Sequence, residues 1–381
     1  MHAVQTQSGL KWAVHLSVLF LVALWIFPTA GLFVSSFRTV DQISSGGWWT
    51  AMFASEQNMV IRAAKPEMQV QEGDLYVIEG DLFAPASTKT ITVWGISSKA
   101  IDIYKASETA ELRKGGSITV MANGHYRMVN AEPFKGSRGQ RVFVTAQAPP
   151  EFTFDNYRKV LFDKTNVEGM AGAFMATMTV TIPATIIPIL IAAFAAYALA
   201  WMNFPGRALL VAAVVGMLVV PLQLALIPLL KLHMNIGIGK GYMGVWLAHT
   251  GFGLPLAIYL LRNYMAGLPR DIIENARVDG ATEFQIFMRI ILPLSFPALA
   301  SFAIFQFLWT WNDLLVAKVF LIDATGQTVV MTAKIVELLG TRGGNWEILA
   351  TSAFVSIAVP LAVFFALQKY LVRGLLAGSV K

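Results

Sequence analysis

The chain contains no cysteine, which excludes disulfides, thiol redox chemistry and cysteine-based metal sites. It is also poor in charge: Asp, Glu, Lys and Arg make up 14% of its 381 residues, against roughly 25% in a soluble globular domain. No phosphate-cradling G-x-x-x-x-G-K-[S/T] loop is present. The nearest approach, Gly239-Lys240, has Met234 at the first glycine position and Gly241 where Ser or Thr belongs, so the chain is not expected to hydrolyse ATP. Its five histidines (His2, His15, His125, His233 and His249) lack a ligand spacing such as H-E-x-x-H, so no metal site is expected. Neither a nucleophile elbow nor an organised carboxylate pair is found. The net charge is +6, but the basic residues are scattered at the ends of apolar runs. Positive-inside membrane topology explains them better than nucleic-acid binding does.

Apolar sequence is what the chain has in excess. Hydrophobic residues reach 56% and the mean hydropathy is +0.59. Several runs attain the roughly 20 apolar residues that span a bilayer. Six spans are read, at 11–34, 168–201, 208–230, 243–263, 294–317 and 347–372. The first has Lys11 ahead of an apolar core, as a signal peptide does, but no convincing small-x-small cleavage pattern follows, so a retained helix is expected. Lys11, Arg207, Arg262, Arg270, Arg277, Arg289, Lys369, Arg373 and Lys381 fall on one side; Lys231, Lys240, Lys334 and Arg342 fall on the other. The first set is therefore cytoplasmic, with both termini inside. Pro183, Pro188, Pro221, Pro228, Pro255 and Pro360 interrupt the spans, and the carbonyls they free must be satisfied by neighbouring helices or a watery cavity.

Between the first two spans the pattern changes. Thr90–Ile96, Ser117–Met121 and Arg141–Thr145 alternate with period two, as half-buried strands do, and Gly73, Gly80, Gly115-Gly116, Gly124 and Gly136 read as turns. A small β-sandwich or barrel on the outer side is expected at about residues 50–148. Gly46-Gly47-Trp48-Trp49 precedes it at the membrane interface, and Pro149-Pro150 stops its last strand.

Residues 268–294, LPRDIIENARVDGATEFQIFMRIILPL, are too charged to sit in hydrocarbon. Pro269 suits a helix start, and Ile272, Ile273, Ala276 and Val278 form an apolar face. Asp279-Gly280 breaks the helix. A second helix follows, with Thr282 and Gln285 spaced as a capping box and Phe284, Phe287, Met288 and Ile291 on its apolar side. Such a cytoplasmic helix–turn–helix knuckle is shaped to fit a groove on another protein.

Glu274-Asn275-Ala276, three residues, Gly280, nine residues, then Ile290 and Leu292-Pro293 resembles the EAA loop of ATP-binding-cassette importer permeases. Asn275 stands where alanine is usual. The resemblance extends through Ser36–Thr39, Phe152–Leu161, Ala195–Leu199, Phe204–Arg207, Pro221–Gln223, Ile227–Leu229, Phe307–Asp313 and the Gly374–Lys381 end. In this order the segments are similar to carbohydrate-uptake permeases of the maltose-transporter G-subunit kind, and the large insertion to the α-glucoside permeases among them. Thr177-Met178-Thr179 departs from the Asn-Ser pair frequent in relatives.

The resemblance implies an all-α polytopic membrane domain of the type I importer fold, with an inserted β-rich periplasmic domain. Residues 1–10 would be a cytoplasmic tail, 11–34 the first transmembrane helix, 35–166 the periplasmic region, and 167–381 a five-helix permease core. The chain would lie in a bacterial inner membrane. A homologous second permease would complete the pore, two cytoplasmic ATPases would bind ATP and Mg, and a periplasmic binding protein would deliver a di- or oligosaccharide such as maltose, trehalose or sucrose. Coupling is assigned to Glu274, Ala276, Asp279, Gly280, Ile290, Leu292 and Pro293.

Polar residues in or beside the spans are candidates for the substrate pathway: Gln223, Gln306, Asn312 and the neighbouring Trp309, with helix–helix hydrogen bonding as the competing role. For Asp313 a structural ion pair or cap is expected. A permease for a polyol or glycerol phosphate is the nearest alternative function. An ion-coupled secondary transporter would need more buried carboxylates than Asp313, and a membrane-anchored sensor would need a cytoplasmic signalling domain.

Overall fold

A computed structural model describes residues 3–85, 87–113, 115–162, 170–321, 328–341 and 345–377. His2, Lys114, Arg342, the Gly378–Lys381 end and residues 167–169 at the start of the permease core lie outside these. The chain divides into two compact units: residues 1–156 with 345–351, and residues 157–344 with 352–381.

The first unit opens with α1 (Ala3–Ser35), whose apolar side chains from Leu10 to Phe27 are mostly exposed, and α2 (Val40–Ser45). Between the two helices Arg38 is buried, and its guanidinium donates to the carbonyls of Gln42 and Gly46. Nine strands follow: β1 (Ser55–Arg62), β2 (Val70–Glu72), β3 (Leu75–Asp81), β4 (Thr90–Gly95), β5 (Tyr104–Lys105), β6 (Thr109–Glu111), β7 (Ser117–Val120), β8 (His125–Asn130) and β9 (Arg141–Ala148). They form two antiparallel sheets, ordered β1-β9-β4-β5 and β2-β3-β8-β7-β6. The alternation read in β4, β7 and β9 turns Ile91, Ile118, Val120, Val142, Val144 and Ala146 inward. These pack with Ile78, Trp94 and Met128 into one core shared by both sheets, a β-sandwich.

Gly73, Gly115, Gly116, Gly124 and Gly136 take positive φ, as turn glycines do. Gly80 does not. It lies inside β3 opposite Tyr126, where a Cβ would come within 2.9 Å of the tyrosine hydroxyl. Close approach, not a turn, requires glycine there.

The other elements are α3 (Asp155–Leu161), α4 (Ala171–Trp201), α5 (Arg207–Met217), α6 (Leu222–Asn235), α7 (Tyr242–Ala266), α8 (Arg270–Val278), α9 (Glu283–Ile286), a π-helical turn (Phe287–Ile291), α10 (Leu292–Leu294), α11 (Phe296–Trp311), α12 (Leu315–Phe320), α13 (Met331–Thr341) and α14 (Trp346–Ala377). Among the described residues, segments of α1, α4, α7 and α14 are long and apolar enough to cross a membrane. Two bent pairs could each supply one more span: α5 with α6, bent by 109°, and Glu283–Leu294 with α11, bent by 69°.

Two expectations are corrected here. The run at 208–230 is not one straight helix: it breaks before Pro221, which lacks an N–H and disfavours helical backbone in the residue ahead of it. The run at 294–317 breaks at Asn312–Leu314, because the Asp313 carboxylate accepts from Val316 N at 3.3 Å and Ala317 N at 3.0 Å and so starts α12.

Of the prolines expected to interrupt spans, only Pro221 stands at a break. Pro183 and Pro188 lie inside α4, Pro228 inside α6, Pro255 inside α7 and Pro360 inside α14. A proline leaves the carbonyl four residues earlier without its helical donor. Three of these carbonyls have side-chain partners. Trp246 Nε1 donates to Thr179 O (2.9 Å), the carbonyl freed by Pro183; Gln306 Nε2 donates to Ala184 O (3.1 Å), freed by Pro188; Trp311 Nε1 donates to Ser356 O (2.9 Å), freed by Pro360. Neighbouring helices thus supply what the proline removed, and the helices continue.

Candidate coupling site and transport pathway

The knuckle begins where α7 ends. Pro269 precedes α8, and α8 stops in a Schellman arrangement: Ala281 N donates to Ala276 O and Gly280 N to Arg277 O, both at 3.0 Å. Gly280 has φ 81°, the left-handed conformation this ending requires, and no neighbouring atom lies within 4 Å of where a Cβ would sit. The capping box read at Thr282 and Gln285 is present, with Gln285 N to Thr282 Oγ1 at 3.3 Å and Thr282 N to Gln285 Oε1 at 2.8 Å.

The apolar side chains split between two directions. Ile273, Ile286, Phe287 and Ile291 are buried with Leu261 and Met265 of α7 and Ala193, Ala196 and Tyr197 of α4. Ile272, Val278, Phe284 and Met288 are exposed, Val278 to 87%. The single apolar face expected for the second helix is therefore corrected: Phe284 and Met288 share one side, four residues apart, and Phe287 and Ile291 the other. The inward set roots the knuckle. The outward set, beside exposed Glu274 and Asp279, is a surface with apolar and acidic chemistry.

A polar tie holds the knuckle to α4. Arg277 Nε donates to Glu283 Oε1 at 2.9 Å, and Tyr197 donates its hydroxyl to Glu283 Oε2 at 2.5 Å. Arg277 Nη2 reaches Trp201 O at 3.3 Å, a last-turn carbonyl of α4, and Trp201 Nε1 donates to Met265 O of α7 at 3.0 Å. Hydrogen bonding from Arg277 holds the Glu283 carboxyl below its ordinary range, and Glu283 in turn raises the Arg277 guanidinium. Arg277 and Glu283 were not among the residues assigned to coupling; their spacing carries no motif, and only the fold brings them to Tyr197.

All seven coupling candidates lie on this knuckle. Glu274 is exposed, with Arg270 3.5 Å away one turn earlier; Asp279 and Pro293 are exposed; Ala276, Ile290 and Leu292 are half-buried. The pathway candidates are more scattered. Gln223 is exposed at the start of α6, beside the 109° bend. Trp309 is 43% exposed, and exposed Asn312 donates its side-chain amide to Leu308 O at the end of α11. Gln306 is buried, tied to α4 as described, and sits so close to Gly253 of α7 that a Cβ there would come within 2.7 Å of its Oε1. Asp313 has the structural place expected of it, capping α12 with His249 Nε2 3.7 Å away. Thr177, for which no role was read, accepts from Met331 N at 2.9 Å and so ties α4 to the start of α13.

Membrane-length apolar helices with a polar knuckle rooted on two of them define the class, a transport permease. Residues 171–376 match the family described as binding-protein-dependent transport system inner membrane component. The chain belongs to that family and is a permease component of an ATP-binding-cassette importer, a transport subunit rather than the ATPase. It is 60% identical over 380 residues, 98% of each chain, to the alpha-glucoside transport system permease protein AglG of Rhizobium meliloti (strain 1021). It is 55% identical over 231 residues, 61% of this chain and 76% of the relative, to the osmoprotective compounds uptake permease protein GgtD of Synechocystis. It is 33% identical over 238 residues, 61% and 84% of the two chains, to the trehalose transport system permease protein SugB of Mycobacterium tuberculosis.

Proposed function

We propose that the chain imports an α-glucoside, a di- or oligosaccharide such as maltose, trehalose or sucrose, as one membrane-spanning half of its transporter. The observation that carries this reading is the 60% identity to an alpha-glucoside permease across 98% of both chains, β-rich region included. A homologous permease forms the other half of the pore. Two cytoplasmic ATPases bind ATP and Mg, and a binding protein delivers the sugar from the periplasm. The chain crosses the inner membrane six times with both termini in the cytoplasm and the β-sandwich in the periplasm; the loop charges support this orientation.

Force passes through the knuckle. Gly280 and Asp279 form its turn, while Glu274, Ala276, Ile290, Leu292 and Pro293 hold or present the surface that seats in the ATPase. The exposed apolar residues Val278, Phe284 and Met288 supply the contact area and Glu274 a charge for the socket. Because the inward half packs on α4 and α7, movement of the knuckle moves those helices with it, which turns the cavity from inward- to outward-facing. Gln223, Trp309 and Asn312 lie on the sugar's route, and Gln306 is reached only when α4, α7 and α11 part. The β-sandwich packs on the outer face of the partner permease. The 55% identity to GgtD over the shared region supports a second reading, import of an osmoprotective polar solute.

Uptake of radiolabelled maltose, trehalose, sucrose and glycerol by cells expressing the complete transporter tests both. Uptake of an α-glucoside supports the first reading. Saturable uptake of glycerol alone supports the second, and uptake of none of the panel overturns both.

A further inference from the structure

One end of the β-sandwich opens into a cleft of about 640 Å³, within the range of small-molecule sites. Its floor is apolar, with Ile78 and Met128 buried and Ile96 and Leu112 half-buried. Two half-buried aromatic rings, Phe134 and Phe143, stand in its wall beside the hydrogen-bonding side chains of Ser97, Asn130 and Gln140. The rim is strongly basic: Arg113, Lys135, Arg138 and Arg141 line it, with Glu132 the one carboxylate. None of the four cations forms an ion pair among the described residues; by contrast Arg127, elsewhere on the sandwich, is held by Glu72 and Glu79.

Other basic and aromatic residues of the β-rich region, among them Lys105, Tyr126 and Arg127, do not line the cleft. Of these, Tyr126 is buried and its hydroxyl oxygen accepts from the Ala64 N–H at 2.6 Å, and Arg127 is neutralised by Glu72 and Glu79. What remains is a concave site, not a flat patch.

We propose that this cleft binds an anionic saccharide. Unpaired cations around a low-dielectric floor focus positive potential into the cleft. Guanidinium groups match a carboxylate with two parallel hydrogen bonds. An aromatic ring offers a flat apolar surface to the C–H face of a pyranose, and Asn and Gln side chains can both donate to and accept from hydroxyls. A neutral sugar would leave the cations without a partner; a bare anion such as phosphate would leave the apolar floor and rings unused. The proposal does not depend on which solute is imported, so its failure would leave the proposed import activity standing.

The test uses the purified full-length chain with its partner subunits and isothermal titration. Maltobionate, a carboxylated disaccharide, is compared with maltose and with a hexa-aspartate peptide. Maltobionate is expected to bind saturably, at least about tenfold more tightly than maltose, and to weaken as salt is added, because charge-assisted contacts are worth a factor of that order and are screened. The double variant Arg138→Glu/Arg141→Glu, both exposed and so not expected to disturb folding, should abolish maltobionate binding without lowering the unfolding midpoint. Asp74→Asn, exposed in the turn between β2 and β3 and away from the cleft lining, should leave that binding unchanged. Equal affinity for maltose and maltobionate, unchanged binding in the charge-reversed variant, or binding of the peptide alone would each overturn the proposal, the last pointing to a protein-docking groove.

Discussion

Gln306 donates its side-chain amide to the carbonyl of Ala184, 122 residues earlier, and that carbonyl is the one Pro188 leaves without a helical donor. The glutamine thus completes another helix's backbone. Trp311 does the same for Ser356 under Pro360, and Trp246 for Thr179 under Pro183. Each pairing lets a proline stay inside a packed helix at no cost in orphaned carbonyls.

The relationship makes a specific prediction. Gln306→Leu should destabilise the chain by on the order of 1–2 kcal/mol, because Ala184 O loses its donor in apolar surroundings. Pro188→Ala restores an N–H to α4, so the same leucine substitution should cost markedly less in that background. A double-mutant cycle on unfolding in detergent measures the coupling; additive effects would show that the pairing contributes nothing.

Gly280→Val should strain the Schellman turn by roughly 1–2 kcal/mol, since a β-branched residue is forced to positive φ. No atom crowds the site, so the effect is conformational. Gly280→Asn, which tolerates that conformation better, should be milder. The expected result is loss of co-purifying ATPase and of uptake for the valine variant, with normal membrane insertion.

Glu274→Ala should change stability by no more than about 0.5 kcal/mol, because its one ion pair among the described residues, with Arg270, is exposed and solvent-screened. Its effect should fall on assembly instead. Subunit stoichiometry after affinity purification, together with the unfolding midpoint, separates the two; a large midpoint shift with intact stoichiometry would contradict the docking role.

The Arg277–Glu283 pair predicts a pH dependence. The folded carboxyl lies below its unfolded value, so its contribution is complete above the unfolded value and is lost as pH falls through the folded one. The protection of the knuckle amides, after correction for the pH dependence of intrinsic exchange, should therefore fall on acidification. Arg277→Met should remove most of that dependence, with a cost below about 1 kcal/mol at neutral pH because the pair is half-exposed.

Asn156 joins the two flanks of the β-rich region, donating to Ser36 O at 3.0 Å and Arg38 O at 2.9 Å. Thr153 N also reaches Phe37 O, at 2.8 Å. Asn156→Asp keeps the shape and removes both donors, so it should cost about 1–3 kcal/mol. Faster limited proteolysis at residues 36–46 is the expected sign.

Local chemistry was enough to read several elements. The knuckle's two helices, its glycine turn and its capping box follow from residues within four positions of one another, so their spacing alone specifies them. The strands β4, β7 and β9 were legible because each turns one face to a core and repeats every two residues.

Long-range partners were not legible, because a hydrogen bond between distant segments leaves no periodic trace. Nothing local distinguishes Gln306 as the donor to Ala184, or Tyr197 as the donor to Glu283. The direction of Phe284 and Met288 was also hidden: both are apolar, and only the packing of Phe287 and Ile291 against α4 and α7 leaves them outside. Likewise nothing local separates Arg127 from Arg113, Arg138 and Arg141; only the pairing of β2, β3 and β8 sets Arg127 beside Glu72 and Glu79, while the other three surround a cleft. The sequence by itself determined where the chain must avoid water, where it must turn and which surfaces carry charge, since hydropathy, backbone freedom and ionisation belong to single residues. The tertiary structure decided which polar groups satisfy one another, because that depends on distances set only when the helices and sheets have packed.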